Sequence, residues 1–148
     1  MTVSLRRAEA SDCGLLFSWV NLPDSLAGKL RTRGPIARAE HDAWFQQRLA
    51  DADCRLWIVM TEGHPQGQIR LTRSPEGWEI DIYVASAARR RGVARDALAQ
   101  AIEALRTEVP GAPLLARVKP DNAASRRLFE RLGFRATRQS PDYVAFVL

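Results

Sequence analysis

The sequence predicts an α/β domain of the mixed, α+β kind, with a central sheet of about seven strands flanked by about four helices. Three observations carry this expectation. Strand-like and helix-like runs follow one another along the chain, separated by Gly, Pro, Asn and Asp turn residues. The strand, long helix and strand between residues 78 and 118 form a right-handed crossover, which makes those two strands parallel. The neighbouring runs are joined by short turns and pair as antiparallel hairpins, so the sheet is mixed.

Residues 3–7 alternate as a first strand. Ser11 is placed to cap a helix with Asp12 in its first turn, and Leu15, Leu16, Trp19 and Val20 fall on one stripe. Asn21-Leu22-Pro23-Asp24 ends that helix, because proline disfavours the helical conformation in the residue before it. Residues 25–35 read as a loop carrying Lys29, Arg31 and Arg33, either a lid over an acceptor or a plain surface connection. Residues 37–49 return to helical spacing, with His41, Trp44, Phe45, Arg48 and Leu49 on one face. Phe45 and Leu49 suit a core, whereas His41 and Trp44 suit either a core or a substrate-binding edge.

Residues 56–60 form an apolar strand buried on both faces, and 68–73 its hairpin partner across the turn at 63–67, which leaves His64 exposed. A turn at 74–77 leads into strand 78–84, with Trp78, Ile80, Ile82 and Val84 on one face and Glu79, Asp81 and Tyr83 on the other. Val93, Ala97, Leu98, Ala101, Ile102 and Leu105 trace the apolar stripe of the long helix, 94–108. Strand 114–118, a helix over 123–132 stopped by Gly133, and strands 134–138 and 143–148 complete the chain.

A length of 148 residues suits a single domain spanning 1–148. The apolar runs fall far short of a membrane span, and the first residues lack the apolar stretch of a signal peptide, so a cytoplasmic protein with no membrane partner is expected. Cys13 and Cys54 are isolated in the sequence with no metal-ligand spacing, which predicts buried free thiols and no metal. The net charge of +5 points to an anionic partner, which a polyanionic cofactor satisfies as well as nucleic acid does. The tryptophans sit in apolar patterns and not along a basic face, which argues against a nucleic-acid-binding module.

The chemistry concentrates in Arg89-Arg90-Arg91-Gly92-Val93-Ala94, where a strand hands over to a helix. The first turn of a helix leaves amide groups without intrahelical partners, and the macrodipole adds positive potential there. Gly92 lets the main chain approach a diphosphate, and the arginines can add charge-assisted hydrogen bonds. In isolation three arginines would be a solvated loop. The spacing is neither Gly-x-Gly-x-x-Gly nor a glycine-rich loop ending in Lys-Ser/Thr.

The run Arg89-x-x-Gly92-x-Ala94 resembles the Arg/Gln-x-x-Gly-x-Gly/Ala signature of the GNAT family of N-acetyltransferases. A second segment, residues 118–134, is similar to that family's other landmark: a strand, Asn122, a short helix with Ser125, and the closing Leu132-Gly133-Phe134. The resemblance implies the GNAT fold, in which the parallel pair splays apart and admits the pantetheine arm of acetyl-coenzyme A. It places that cofactor against Ile82, Tyr83 and Val84, the loop Arg89, Arg90, Arg91, Gly92, Val93, Ala94 and Arg95, and Asn122, Ser125 and Phe129. It also implies direct attack of an amine on the thioester, by a monomer or homodimer.

Such a transfer needs a base for the ammonium and an acid for the departing thiolate. Glu79 and Asp81 are the candidate bases, and a cross-strand ion pair with Arg70 or Arg73 is the alternative use of either. Many members of the family carry a tyrosine seven residues after the asparagine as general acid; here Phe129 holds that position, which leaves Tyr83, Tyr143 and Ser125 as candidates. Asn122 either meets the cofactor arm or caps the helix after it. The first half is similar to the branch that acetylates nucleotide-linked amino sugars, as in pseudaminic acid synthesis, which implies acceptor contacts from Asn21, Lys29, Arg31, His41 and Trp44. Three other readings stay open: a protein amino terminus or lysine as acceptor, a small free amine, and a coenzyme A sensor without activity.

Overall fold

The structure, a computed structural model, describes residues 2–28, 30 and 34–148. Its strands are β1 (Val3–Arg7), β2 (Cys54–Thr61), β3 (His64–Ser74), β4 (Gly77–Val84), β5 (Leu114–Val118), β6 (Arg135–Gln139) and β7 (Val144–Val147). The α-helices among the described residues are α1 (Cys13–Val20), α2 (Pro23–Gly28), α3 (Arg38–Ala50), α4 (Val93–Glu108) and α5 (Ala123–Arg131). The strands form one seven-stranded sheet in the order β1-β2-β3-β4-β5-β7-β6, antiparallel throughout except for the parallel pair β4–β5. This is the mixed sheet expected from the crossover.

The two faces of the sheet follow the period of two. Trp57, Val59, Ile69, Leu71, Trp78 and Ile80 point to the face covered by α4, whose Ala97, Leu98, Ala101 and Leu105 are fully buried against them. Leu56 and Ile58 point to the other face, where they pack with Leu16 of α1 and Phe45 of α3. Burying side chains of this size contributes about 1.5–3 kcal/mol each. On β4, the same alternation turns Asp81 and Tyr83 toward the face that carries α1 and α3.

Several local expectations shift. Ser11 lies inside a short 3-10 turn, Ala10–Asp12, and the cap is a box between Glu9 and Asp12, with the Asp12 carboxylate also accepting two bonds of 2.8 Å from Arg6. Pro23 does not lead into a loop. It begins a fifth helix, α2, because proline lacks only an amide hydrogen that the first helical turn leaves without an intrahelical partner anyway. The turn between β2 and β3 is Glu62-Gly63, with φ of 50° and 81°, the left-handed pair that a two-residue hairpin favours, and β3 therefore begins earlier than expected, at His64. Gly133, at φ 90°, ends α5 as expected, with the Phe134 amide bonding back to the Phe129 carbonyl at 3.0 Å.

Candidate functional site

The registered pairs of β4 with β5 are Trp78↔Leu114 and Glu79↔Leu115 only, although β4 runs on to Val84 and β5 to Val118. The parallel strands therefore part toward their C-terminal ends, opening a gap at the middle of the sheet. This is the splay that the family resemblance implied and that side-chain periodicity cannot show.

The chain leaves β4 at the mouth of that gap. After a 3-10 turn, Ser86–Ala88, backbone φ alternates in sign: −73° at Arg89, 63° at Arg90, negative at Arg91 and 77° at Gly92. Alternation of this kind turns successive amides toward one side and makes an anion-binding concavity. Gly92 is the N-cap of α4, and a Cβ built there would meet nothing closer than 3.7 Å, so conformation and not crowding selects glycine. The first intrahelical bond runs from the Asp96 amide to the Gly92 carbonyl at 3.0 Å, which leaves the amides of Val93, Ala94 and Arg95 as the N-terminal set with no acceptor inside the helix. Arg90, Arg91 and Arg95 are exposed around them. The arrangement fits the diphosphate of a coenzyme A.

Arg89 departs from this pattern. Its Nε donates to the Val84 carbonyl at 2.8 Å, its Nη2 donates to Asp24 of α2 at 2.6 Å, and its guanidinium lies over the Tyr83 ring at 5.6 Å. The first arginine of the motif thus bridges the end of β4 to α2, and its charge is engaged by the Asp24 carboxylate.

On the α1/α3 face, a cavity of about 220 Å³ lies against β4 and is lined by Trp19, His41, Trp44, Arg70, Asp81 and Tyr83 among others. The Asp81 carboxylate accepts from Gln68 Nε2 at 2.9 Å and has Arg70 at 3.8 Å; Arg70 in turn lies over the Trp44 ring at 4.9 Å. Tyr83 packs against Trp19 at 5.8 Å and donates to Asp24 at 3.4 Å. Burial, then the Asp24 charge, pushes the Tyr83 phenol above its usual range, so it stays protonated at neutral pH. Glu40 also lines the cavity, so its charged lining holds two carboxylates and one guanidinium among the described residues.

Glu79 has different company. Its carboxylate accepts from Arg117 of β5 at 2.6 Å, and Arg117 reaches Glu76 at 3.0 Å and lies over Tyr143 at 5.6 Å. Glu79 and Asp81 share a strand face but each has its own arginine. Asp81 takes the Arg70 partner that the alternative reading foresaw; for Glu79 the partner is Arg117, across the parallel pair.

The remaining expected residues divide. Asn122 caps α5, its side chain accepting from the Ser125 amide at 3.1 Å. Phe129 is 3% exposed and packs between Phe134 and Phe146, so its ring belongs to the core and not to the cofactor gap. Ile82 packs toward α4, while Val84 is buried and offers its carbonyl to Arg89. Asn21 exchanges two bonds with the Ile36 backbone, at 2.9 and 2.7 Å, which ties the end of α1 to the segment before α3. Lys29 and Arg31 lie outside the described residues. His41 is 2% exposed among the rings of Phe17, Trp44 and Phe45, and burial pushes its pKa down. Asp24, Glu40 and Gln68 were missed; the Pro23-Asp24 pair at a helix start was the readable signal for the first of them.

The sequence matches a family model described as an acetyltransferase (GNAT) domain over residues 2–135. No curated protein matches it. Among solved structures, a domain from Methanocaldococcus jannaschii superposes with a TM-score of 0.85 at 18% identity, covering 99% of this chain and 97% of that one. The spermidine N-acetyltransferase from Vibrio cholerae, solved with CoA and spermine, gives 0.84 at 16% identity, covering 98% and 92%. The aminoglycoside acetyltransferase AAC(6')-Ib, solved with coenzyme A and kanamycin, gives 0.80 at 21% identity, covering 99% and 94%.

Proposed function

The chain belongs to the acetyltransferase (GNAT) family, and from that premise we propose that it is an acetyl-CoA-dependent N-acetyltransferase acting on a small cationic primary amine. The observation that carries the acceptor class is the cavity beside β4, where Asp81 and Glu40 stand among the aromatic rings of Trp19, Trp44 and Tyr83. Carboxylates and ring faces both attract an ammonium group. In this reading residues 1–148 work as one catalytic domain, and described helices include none long and apolar enough to cross a membrane.

Acetyl-coenzyme A supplies an acetyl group activated as a thioester. The amides of Val93, Ala94 and Arg95, with Arg90 and Arg91, hold its diphosphate at the N-terminus of α4. The gap between β4 and β5 takes the arm and directs it toward the cavity. Asp81, oriented by Gln68 and Arg70, accepts a proton from the acceptor ammonium, directly or through one water, and so frees the lone pair that forms the new C–N bond. Tyr83, protonated and on the same face of β4, gives its proton to the sulfur as the C–S bond breaks; the second proton that the nitrogen sheds on becoming an amide leaves to solvent, from which the phenol is reprotonated. Glu79 serves as a positioning residue, tying β4 to Arg117 of β5 where the strands are about to part. Ser125 takes no part in proton transfer in this reading; its amide donates to the Asn122 cap.

A nucleotide-linked amino sugar is supported by His41 and Trp44, which line the cavity, but a diphosphate acceptor would meet Glu40 and Asp81 there. The test is thiol release from acetyl-CoA against a panel of diamines, amino sugars, nucleotide-linked amino sugars and peptides. Turnover of small amines is expected. Turnover confined to nucleotide-linked sugars or peptides would overturn the acceptor class, and tight coenzyme A binding with no turnover of any acceptor would overturn the enzyme reading.

A further inference from the structure

A second cavity of about 200 Å³ opens between α1 and α3, lined by Cys13, Arg38, Asp42, Phe45 and Gln46 among others. Cys13, the first residue of α1, places Sγ 3.1 Å from Asp42 Oδ1 and 3.8 Å from His41 Nδ1, and the third side of the triangle, His41 Nδ1 to Asp42 Oδ1, is 3.9 Å. One thiol, one imidazole and one carboxylate thus converge, with all three ligand atoms within 4.8 Å of one another. Ligand atoms around four-coordinate zinc stand about 3.3–3.7 Å apart, so each side of the triangle needs to change by no more than about 0.6 Å.

We propose that Cys13, His41 and Asp42 form a three-ligand site for a zinc-type divalent cation, with water in the fourth position. The mixed sulfur, nitrogen and oxygen set selects a borderline-soft ion over magnesium or calcium, which take oxygen ligands. The His41 ring is held in place by Phe17, Trp44 and Phe45, so one ligand is preorganised. Binding replaces the S–H bond of Cys13 by a metal–sulfur bond and releases that proton to solvent. The one competing cation at the site among the described residues is Arg38, whose Nε donates to Asp42 Oδ1 at 2.8 Å with its side chain 57% exposed. An exposed ion pair of this kind is weak and yields to a metal. His41 lines the acceptor cavity too, so the two sites share that residue.

The test uses the full chain, reduced and stripped of metal, titrated with cobalt(II) as a spectroscopic probe. A thiolate-to-cobalt charge-transfer band that saturates at one equivalent, and that zinc displaces, is expected. Cys13→Ser abolishes the band, whereas Cys54→Ser retains it, since Cys54 is buried at the start of β2 beside Thr72. Asp42→Asn, at a half-buried position, weakens cobalt binding by at least about tenfold, and Arg38→Gln tightens it several-fold. Zinc also raises the melting temperature of the native protein and not of Cys13→Ser. No band, a band that survives Cys13→Ser, or affinity unchanged in Asp42→Asn overturns the site.

Discussion

Asp81 and Glu79 stand two residues apart on one face of β4, and their neighbours separate them. Asp81→Asn is expected to lower kcat/KM by about 10²–10⁴ with coenzyme A affinity unchanged, whereas Glu79→Gln lowers stability by about 1–2 kcal/mol through the partly stranded Arg117 and leaves the chemical step largely intact. Steady-state kinetics with calorimetry on both variants checks this; equal losses of kcat would contradict the assignment. Tyr83→Phe is expected to lower kcat by about ten- to a hundredfold, modest for a general acid because a thiolate leaves readily. The sign of its pH effect follows from the raised phenol pKa: the proton is present below that pKa and lost above it, so the alkaline limb of the wild-type profile lies above the usual phenol range and is absent in Tyr83→Phe. Period-two alternation in the sequence revealed that Glu79, Asp81 and Tyr83 share a face. It could not reveal which of them meets a cavity, because that depends on Arg117 and Arg70 from two different neighbouring strands.

Between elements, the contact of α2 with the loop before α4 has a direct consequence. Asp24 neutralises Arg89, so a diphosphate arriving at the loop competes with that carboxylate for the guanidinium. Asp24→Asn is therefore expected to tighten coenzyme A binding by up to about fivefold, the strength of a surface ion pair, while the Asn oxygen still accepts from the Tyr83 hydroxyl and the acceptor KM changes little. Weaker coenzyme A binding in a calorimetric titration would show that Asp24 only braces the fold. The β3–β4 contact is equally specific: a Cβ at Gly67 would stand 2.1 Å from the Tyr83 carbonyl, so Gly67→Ala must push the strands apart beside the cavity. A stability loss of about 1–3 kcal/mol is expected in denaturant unfolding, together with reduced kcat. Helix α2 was not legible because proline has opposite meanings before and within a first turn, and the sequence of 21–24 suits either. The α4 boundary was legible because Gly92 and the apolar stripe behind it agree.

At the scale of the molecule, the apolar alternation of β2, β3 and β4 and the stripe of α4 foretold the mixed sheet and its core. The parting of β4 and β5 left no mark in side-chain pattern, since it is a property of backbone register, and only the two family landmarks implied it. Phe129 shows the reverse case: a position assigned to the cofactor by resemblance is filled by a core ring, because the motif fixes where α5 lies and not what each side chain on it does. Similarly, a cysteine 28 residues from a histidine carries no ligand spacing, and packing of α1 on α3 was required to bring them together. The proposed function depends on the parted strands and the amide cluster at the start of α4 acting together on one ligand. The most direct test follows backbone amide chemical shifts of the full chain by NMR as coenzyme A is added. The largest saturable shifts are expected at Gly92–Arg95, with smaller ones at Ile82–Val84; an absence of shifts, or shifts centred on another face of the sheet, would contradict the account.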